Sequence, residues 1–562
     1  MDYSELADVY ESLESTQSNL EKTSILAKAF SSLDKEELEK VVRLSMGRVF
    51  AAWKDKEIGI SSKLMVKAIS KATGEKESDI EDLWRETGDL GLTAERLVKD
   101  KKQQTLAKQE LTVEKVFMTL QEMATYEGSG SQEKKLDKAA ELLSSAEPRE
   151  ARYITRTIIG DMRVGVGEGT VRDAIAEAFF PEEEKEEVKS KIQHAYDMAN
   201  DFSVVARTAK EEGFSGLEEV EMELFRPIQM MLAQKAEDME DGFESVGGEE
   251  GAVLEYKYDG MRVQIHKKGD EVKVFTRRLE DVTEQFPDIV DAVRKNVDAQ
   301  ECVLDGEAVA YNPEDMSNIP FQKLSKRIKR KYGIEEMVEE IPVVVHLFDV
   351  LYLEGDSFIS KPLEKRWSKL KEVVEEAEYD LDLAKHLETS SIEDANSFYQ
   401  EALQSDAEGI MMKNPDAEFK PGSRVGYMVK LKPVMETLDL VVVGAEWGEG
   451  RRSDWLGSYR LACRDEDLGE FKVVGKMATG FTDEQLEEMT EKIKPLITKE
   501  EGREVDVKPD LVVEVSYEEL QKSPQYSSGY ALRFPRLVQI REDLGVEGAD
   551  TLSKVSDLYE SQ

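Results

Sequence analysis

The sequence predicts a multidomain fold: an all-α N-terminal domain, then an α+β domain, then a small C-terminal β-barrel. Three observations predict it. Apolar residues keep helical spacing through about the first 225 residues, strands with buried apolar runs begin after a Gly-rich stretch near residue 236, and short strands dominate after Pro433. The predicted boundaries are residues 1–225, 226–434 and 435–562, and a chain of 562 residues is long enough for separate cores.

Helical periodicity defines the N-terminal domain. Leu6, Val9, Tyr10 and Leu13 follow the spacing of one helix face. A polar stretch from residue 32 predicts a capped start to a further helix, whose apolar face carries Leu38, Val41, Val42 and Leu44. The acidic run at residues 182–187 is expected to form a solvated helix face.

The two later domains are predicted from strand patterns. Residues 236–251 are expected to form a loop, residues 268–270 a hairpin turn, residues 303–310 and 343–353 buried strands, and residues 363–377 a helix. Strands are then expected at residues 438–447, 459–463, 471–477 and 511–517, with one helix at 482–493. A barrel of this size with one helix resembles an OB-fold.

Composition excludes several classes of protein. No apolar run reaches about 18 residues, so no transmembrane helix is expected. The first five residues lack the basic and apolar regions of a secretory signal. Cys302 and Cys463 have no cysteine or metal-ligand neighbours in sequence, so both are expected to be core residues in a reducing cytoplasm.

The net charge of −43 has two interpretations. It is either a heavily solvated surface or an adaptation to concentrated salt, which screens self-repulsion. Such a charge disfavours nucleic acid as a partner unless a local basic surface exists. Residues 321–331 supply one, with six basic residues and no acid. Helical spacing would place four of them on one side, where they could contact phosphates without base specificity or remain a solvated face: Lys323, Lys326, Arg327 and Arg330.

Lys257 is the most informative residue, in the segment Leu-Glu-Tyr-Lys-Tyr-Asp-Gly-Met-Arg at residues 254–262. Taken alone, Lys-x-Asp-Gly also fits a surface lysine before a turn. As a nucleophile, lysine must first lose its proton, and nearby cations such as Lys430 and Lys432 would favour the neutral amine and stabilise phosphate charge. Carboxylates could hold Mg²⁺, or Mn²⁺ in its place, and the candidates are Asp259, Glu307 and Glu408.

Five later segments follow Lys257 in a fixed order, at residues 304–307, 346–352, 407–413, 427–432 and 536–543. In this order and at these separations they resemble the motifs of covalent nucleotidyltransferases, and most closely those of the ATP-dependent DNA ligases of archaea and eukaryotes. Residues 152–171 resemble the helical DNA-binding domain of that family, and residues 480–482 and 521–524 resemble its OB domain. The α+β domain would then be the adenylation domain.

The resemblance implies roles for individual residues. Lys257 would carry AMP, Glu255 would read adenine and Phe348 would stack on the base. Ribose and phosphate contacts would come from a larger set: Arg262, Arg278, Glu307, Arg424 and Lys430, with Lys432 and Arg541 as candidates for phosphate or pyrophosphate. Arg152, Arg156 and Arg163 would add contacts to DNA.

The implied reaction seals nicks in double-stranded DNA, with roles in replication, repair, recombination and cell division. ATP adenylates the lysine, AMP passes to the 5′-phosphate, and the 3′-hydroxyl displaces it. A monomer is expected. Residues 103–107 match the position of a sliding-clamp motif but lack its paired aromatics, which argues against clamp binding there.

The sequence departs from the family pattern at two positions. Leu544 follows Asp543 where a lysine is common, and Tyr427 stands where tryptophan is common. Two alternatives stay open. An RNA ligase or capping-type nucleotidyltransferase shares Lys-x-Asp-Gly but generally lacks a large helical N-terminal domain. A catalytically impaired DNA-binding clamp is supported only by Leu544.

The acidic composition generates a first prediction. If it is an adaptation to salt, the joining activity implied by the resemblance should persist or peak at about 1 M salt, where the Debye length is about 3 Å. Nick joining would be measured across a salt series. Maximal joining at about 50 mM salt with collapse above about 0.5 M would contradict the salt-adaptation interpretation.

Overall fold

The computed structural model describes residues 1–54, 56–100, 110–247, 251–330, 332–433, 436–448, 454–466 and 468–560. The chain forms two compact units, Met1–Lys432 and Pro433–Gln562. In the described part of the chain, no helix combines the length and apolar character needed to cross a membrane.

The first unit begins with helices, which confirms the predicted helical segment. Among the described residues up to Glu218 these are α1 (Tyr3–Glu14), α2 (Asn19–Ser32), α3 (Lys35–Ser45), α4 (Ser62–Thr73), α5 (Glu77–Thr87), α6 (Leu90–Lys99), α7 (Val113–Ala124), α8 (Ser131–Ser145), α9 (Pro148–Ile159), α10 (Glu168–Phe179), α11 (Lys185–Ala199) and α12 (Phe202–Glu218).

Capping and apolar spacing explain helix α3. The Asp34 carboxylate accepts a hydrogen bond of 2.9 Å from the N–H of Glu37, and so satisfies one of the free donors at the helix start. The predicted apolar face is buried, and its members are Leu38, Val41, Val42 and Leu44. They pack into one helical core together with Leu6, Tyr10 and Leu13 of α1.

The acidic run at residues 182–187 is exposed, as expected, but only residues 185–187 are helical. Helix α11 starts only at Lys185, and the Glu184 side chain caps it by accepting from the N–H groups of Glu186 and Glu187. Negative side chains are favoured at a helix start because the free N–H groups there carry partial positive charge. The run therefore starts a helix instead of covering the face of one.

Two sheets follow the helices in the first unit. The first has five strands: β1 (Leu232–Lys235), β2 (Ala252–Tyr256), β10 (His386–Thr389), β11 (Ile410–Lys413) and β12 (Arg424–Leu431). The second has seven: β3 (Met261–Lys268), β4 (Glu271–Thr276), β5 (Glu301–Tyr311), β6 (Asn318–Ile319), β7 (Val343–Leu353), β8 (Asp356–Ser357) and β9 (Leu381–Leu383).

Strand order places the site between the sheets. The strand order in the five-stranded sheet is β1-β12-β11-β2-β10. In the seven-stranded sheet it is β4-β3-β5-β7-β8, and β6 and β9 pair with β5 and β7 outside this order. Residues 257–260 link β2 to β3 and therefore cross from one sheet to the other. The hairpin and the strands expected at residues 303–310 and 343–353 are confirmed. Cys302 lies buried in β5, as expected, and burial raises its pKa to about 12.

The helices around these sheets are α13 (Met239–Val246), α14 (Pro287–Asn296), α15 (Phe321–Ile328), α16 (Ile334–Glu340), α17 (Leu363–Val373) and α18 (Ile392–Gln404). Helix α17 confirms the helix expected from residue 363, although it ends earlier. The loop expected at residues 236–251 is wrong in part, because α13 lies within it. Met239, Phe243 and Val246 have helical spacing and are buried, which stabilises a helix that its acidic composition obscured.

The second unit is rich in strands: β13 (Leu438–Trp447), β14 (Leu456–Asp465), β15 (Glu470–Met477), β16 (Ile497–Glu501), β17 (Glu504–Val507), β18 (Val512–Ser516), β19 (Glu519–Lys522), β20 (Tyr530–Arg533) and β21 (Arg536–Ile540). Its main sheet has the order β15-β14-β13-β17-β16, and β18 pairs with β13 and β21. The expected helix is α19 (Asp483–Ile493), and a second helix, α20 (Leu552–Glu560), was not expected. Cys463 is buried in β14, as expected.

Asp197 of helix α11 generates a stability prediction. Burial raises its pKa to about 6, although Gln193 donates a hydrogen bond of 2.8 Å to it. The folded state therefore disfavours the carboxylate above about pH 6, and this cost vanishes below the ordinary aspartate pKa of about 4.

Asp197→Asn should therefore raise the free energy of unfolding by about 1–3 kcal/mol at pH 8 and change it little near pH 4. Denaturant unfolding at the two pH values measures this. An equal gain at both would mean that charge is not the cause.

Candidate active site

The turn at residues 257–260 is fixed to a second segment by its backbone. The N–H of Lys257 donates to the carbonyl of Gly409 (2.9 Å), and the N–H of Glu408 donates to the carbonyl of Lys257 (2.8 Å). Gly409 has a φ of +138°, and a Cβ there would lie 2.1 Å from the Leu431 carbonyl oxygen. Gly260 is equally tight, because its Cβ would lie 2.5 Å from the Ala308 oxygen. Glycine is therefore required at both positions.

Lys257 shares a carboxylate with a second lysine. Its Nζ forms an ion pair with Glu408 Oε2, and Lys432 Nζ lies 2.8 Å from the same oxygen. Burial alone would raise the pKa of Glu408, but the charges of Lys257 and Lys432 hold it below its ordinary value. Glu408 is therefore ionised, and its Oε2 binds both lysine side chains. Lys432 thus lies close to Lys257, as predicted.

Glu307 extends this cluster from β5. Burial raises the pKa of Glu307 to about 8, against the opposing charges of Lys257 and Arg262, and the nearby Glu408 adds to the rise. Burial thus disfavours the ionised form of Glu307 beside the Lys257 amine. The third predicted metal ligand, Asp259, accepts a hydrogen bond from the Phe321 N–H (3.3 Å).

Within the described residues, no three acidic, histidine or cysteine side chains gather closely enough to hold a metal ion alone. A metal at this site would therefore need ligands from the substrate as well. Mg²⁺ commonly binds in this way, through one or two carboxylates and phosphate oxygens.

Glu255 lies buried on β2 and pairs with Lys413 of the neighbouring strand β11, at 2.5 Å from its Oε2. Burial favours a higher pKa, but Lys413 and His386 hold the pKa of Glu255 below its ordinary value. Its other oxygen, Oε1, is buried without a hydrogen-bond partner, since His386 Nδ1 lies 3.9 Å away. This oxygen could accept a hydrogen bond from a ligand N–H.

Phe348 of β7 lies in the pocket beside this pair. The Lys413 ammonium is 4.7 Å from the centre of its ring, and the Arg262 guanidinium carbon is 5.5 Å away. Arg262 also binds both oxygens of the buried Asp305, at 3.1 and 2.6 Å, and the Met231 carbonyl at 2.6 Å. Arg262, Phe348 and Lys413 line one pocket, which Tyr427 also reaches.

The other predicted nucleotide contacts lie near strand ends of the first unit or in the second unit. Arg278 is exposed in the turn after β4, and Arg424 is exposed at the start of β12. Lys430 lies half-buried on β12, paired in register with Met411. In the second unit, Arg541 binds both oxygens of Asp439, at 2.9 and 2.8 Å, and also Asp543.

The basic segment at residues 321–330 divides into two sets. Lys323, Lys326 and Arg330 are exposed and line a common cleft. Arg327 is only 1% exposed and forms an ion pair with Asp288. Its predicted place among the phosphate contacts is therefore wrong. Helical spacing groups residues on one side of a helix, but it does not show which side faces the core.

The predicted DNA-contacting arginines of the N-terminal helices also have acidic partners. Arg152 pairs with Glu95 and Glu14, and Arg156 is buried between Glu14 and Asp89. Arg163 is exposed and pairs with Asp161. The candidate clamp motif at residues 103–107 lies outside the described residues.

Lys413 and Asp305 were missed as site residues. Lys413 ends the segment at residues 407–413, but its partner becomes visible only when β11 and β2 pair. Asp305 lies in the segment at residues 304–307, opposite Gln264 in register and next to Arg262. An alternating pattern does not reveal which strands are neighbours, so neither contact could be read from sequence.

Comparison with known proteins decides the family. The model described as "DNA ligase N terminus" matches residues 2–176, "ATP dependent DNA ligase domain" matches residues 230–432, and "ATP dependent DNA ligase C terminal region" matches residues 452–544. The chain is 45% identical over 569 residues to a DNA ligase of Nanoarchaeum equitans, covering 100% of this chain and 99% of that relative. The chain belongs to the ATP-dependent DNA ligase family.

Further relatives of this ligase agree. A DNA ligase of Thermococcus fumicolans is 46% identical over 560 residues, covering 100% of this chain and 98% of that relative. The solved structure named "Pmar-Lig_PreS3" has a TM-score of 0.59 at 18% identity, covering 95% of this chain and 99% of that chain, and shows a shared fold. The predicted fold class, enzyme class and ligase function are confirmed. Salt adaptation stays a prediction.

Proposed function

We propose that this ligase seals nicks in double-stranded DNA with Lys257 as the nucleophile that carries AMP. The observation that carries the proposal is the carboxylate of Glu408 shared by Lys257 and Lys432 at the crossing between the two sheets. One amine is held where it can attack, and a second cation is held beside it.

The first step forms the lysine adduct. The Lys257 ammonium passes a proton to Glu408, its hydrogen-bond acceptor, and the neutral amine attacks the α-phosphorus of ATP. The nitrogen then loses a second proton to solvent as the phosphoramide forms. A phosphorus–nitrogen bond forms, and the bond to pyrophosphate breaks. Lys432 stays beside the reacting phosphate and stabilises its charge.

Two transfers complete the reaction. An oxygen of the 5′-phosphate at the nick attacks the adenylyl phosphorus, and the lysine leaves with its electron pair and takes up a proton. The 3′-hydroxyl then attacks the activated 5′-phosphorus, loses its proton, and releases AMP. Each step is an in-line displacement, so alignment and charge stabilisation dominate the catalysis.

The unpartnered oxygen of Glu255 supports adenine as the base. The 6-amino group of adenine would donate to Oε1, whereas the 6-oxo group of guanine would repel it. Phe348 lines the adjoining pocket and would stack on the base. Arg262, Arg278, Glu307, Arg424 and Lys430 are proposed for ribose and phosphates, and Arg541 for pyrophosphate.

Mg²⁺ is the proposed metal, and Mn²⁺ would fit the same ligands. Glu307 and Glu408 would hold it together with phosphate oxygens, because a divalent cation would stabilise the ionised form of Glu307 that burial disfavours. Asp259 is a weaker candidate, since it already binds the Phe321 N–H. When bound, the metal would neutralise phosphate charge.

The exposed cations Lys323, Lys326 and Arg330 are proposed to contact the DNA backbone, with Arg152 and Arg163 adding contacts from the helical region. The proposed division assigns residues 1–225 to DNA binding, 226–434 to adenylation and 435–562 to the OB-fold. The ligase is proposed to act as a monomer in replication, repair and recombination.

Lys257→Ala tests the nucleophile. Self-adenylation and nick joining should fall by on the order of a thousandfold or more, because no other residue replaces the attacking amine. Labelled ATP and mass spectrometry would locate AMP on Lys257 in the unaltered chain, and Lys268→Ala, an exposed lysine on β3, is the control. Nick joining that survives Lys257→Ala would overturn the assignment.

Glu255→Gln tests the reading of adenine. Replacing an acceptor oxygen with a donor should lower labelling with ATP by about 10- to 100-fold and narrow the preference for ATP over GTP. Glu271→Gln, at an exposed position of β4, is the matched control. Efficient labelling of the unaltered protein with GTP would instead favour a capping-type nucleotidyltransferase.

A further inference from the structure

Helix α15 is short and strongly basic. Its exposed cations, with Arg330 just beyond its end, are called here the basic face: Lys323, Lys326 and Arg330. These three side chains line one cleft together with Asn312 and Ser317. The opposite side of the helix carries the buried Leu324 and Arg327.

The buried guanidinium of Arg327 makes four hydrogen bonds. Nη1 and Nη2 bind the two oxygens of Asp288, at 2.8 and 2.7 Å. Nη1 also donates to the Ile341 carbonyl (2.8 Å), and Nη2 to the Gln285 carbonyl (2.9 Å). The guanidinium lies 4.3 Å from the centre of the Phe286 ring. One side chain therefore ties α15 to the start of α14 and to the residues before β7.

The other end of α15 is tied to the catalytic turn. The N–H of Phe321, the first residue of the helix, donates to Asp259 Oδ2 at 3.3 Å. Asp259 is two residues from Lys257 in the turn between the sheets. The helix thus has one fixed point beside the nucleophile and one at Arg327.

Such a helix needs fixed points. Eight residues are too few for a stable isolated helix, and the cations of the basic face repel one another. A buried arginine stays charged, and its pair with Asp288 resists disruption because breaking the pair leaves a buried charge without a partner.

We infer that Arg327 is a positioning residue for DNA binding. Through its pair with Asp288, it holds the basic face in the geometry that contacts DNA phosphates, without touching DNA itself. The inference rests on the proposed function, which assigns phosphate contacts to the basic face.

The test compares two kinds of variant in the full-length ligase. Arg327→Gln removes the tie and Asp288→Asn removes its ion pair but leaves the two carbonyl acceptors, while the triple variant Lys323→Gln, Lys326→Gln, Arg330→Gln removes the basic face. For each, the affinity for a nicked duplex is measured over a salt series, and the rate of self-adenylation with ATP is measured without DNA. Arg327→Lys keeps the charge but loses the two-point geometry, and thermal unfolding checks that each variant folds.

The expected result is a split between the two measurements. Arg327→Gln should weaken nick binding by about tenfold or more and reduce the slope of log affinity against log salt by about 1 to 3, as loss of up to three phosphate contacts requires. Self-adenylation should fall far less. Asp288→Asn and Arg327→Lys should give intermediate losses of affinity and slope.

Two outcomes would overturn the inference separately from the proposed function. If the triple variant loses affinity and slope while folded Arg327→Gln and Asp288→Asn keep both, the basic face binds DNA but Arg327 does not position it. Equal losses in DNA binding and self-adenylation would show a general structural role. If the triple variant itself keeps full affinity and slope, the proposed phosphate contacts fail, and the inference fails with them.

Discussion

The active site depends on one shared carboxylate. Glu408 holds the amines of Lys257 and Lys432 together, and the backbones of Lys257 and residues 408–409 are joined by two reciprocal hydrogen bonds. Without that anion, two ammonium groups at this separation would repel each other inside a partly desolvated site. The same contact would give Lys257, the proposed nucleophile, a proton acceptor. Position and chemistry therefore come from a single residue, which only the absence of a side chain at Gly409 allows to approach.

Arginine has an unusual role in a chain with a net charge of −43. Among the described residues, three arginines are almost fully buried, and each binds a nearby acid: Arg156 with Asp89, Arg327 with Asp288, and Arg366 with Asp349. Such pairs tie segments together more than they add stability, because desolvation offsets much of the attraction. Their commitment to internal acids leaves fewer cations for DNA. The proposed phosphate contacts of the basic face therefore depend on a small set of exposed cations, Lys323, Lys326 and Arg330.

Much of the fold could be predicted from sequence because buried faces produce a regular spacing of apolar residues along the chain. The hairpin β3–β4 and the long strands β5 and β7 follow directly from apolar alternation and apolar runs. Helix α13 was missed because its acidic residues and flanking glycines resemble a loop, and its apolar face is visible only against the sheet it covers. The burial of Arg327 was missed for a related reason. The sequence of a helix does not show whether a cation on it will face solvent or pair with an acid of another element.

The site shows the same limit more sharply. The order of the motifs along the chain is sufficient to single out Lys257, Glu408 and Lys432, because each lies within a motif whose residue types suit the proposed chemistry. Lys413 and Asp305 bind partners on other strands. Which strands are neighbours depends on the topology of the sheet, and no local pattern in a single sequence shows that topology.

The departure at Leu544 has a structural explanation in the second unit. Leu544 packs against a small apolar cluster that includes Val441, Val512 and Ala549. A lysine there would need to turn its amine away from this cluster, so the position serves packing in this chain. The neighbouring Arg541 keeps its charge and is oriented by both oxygens of Asp439. The last motif therefore retains one fixed cation, and the loss of the lysine does not by itself imply an inactive enzyme.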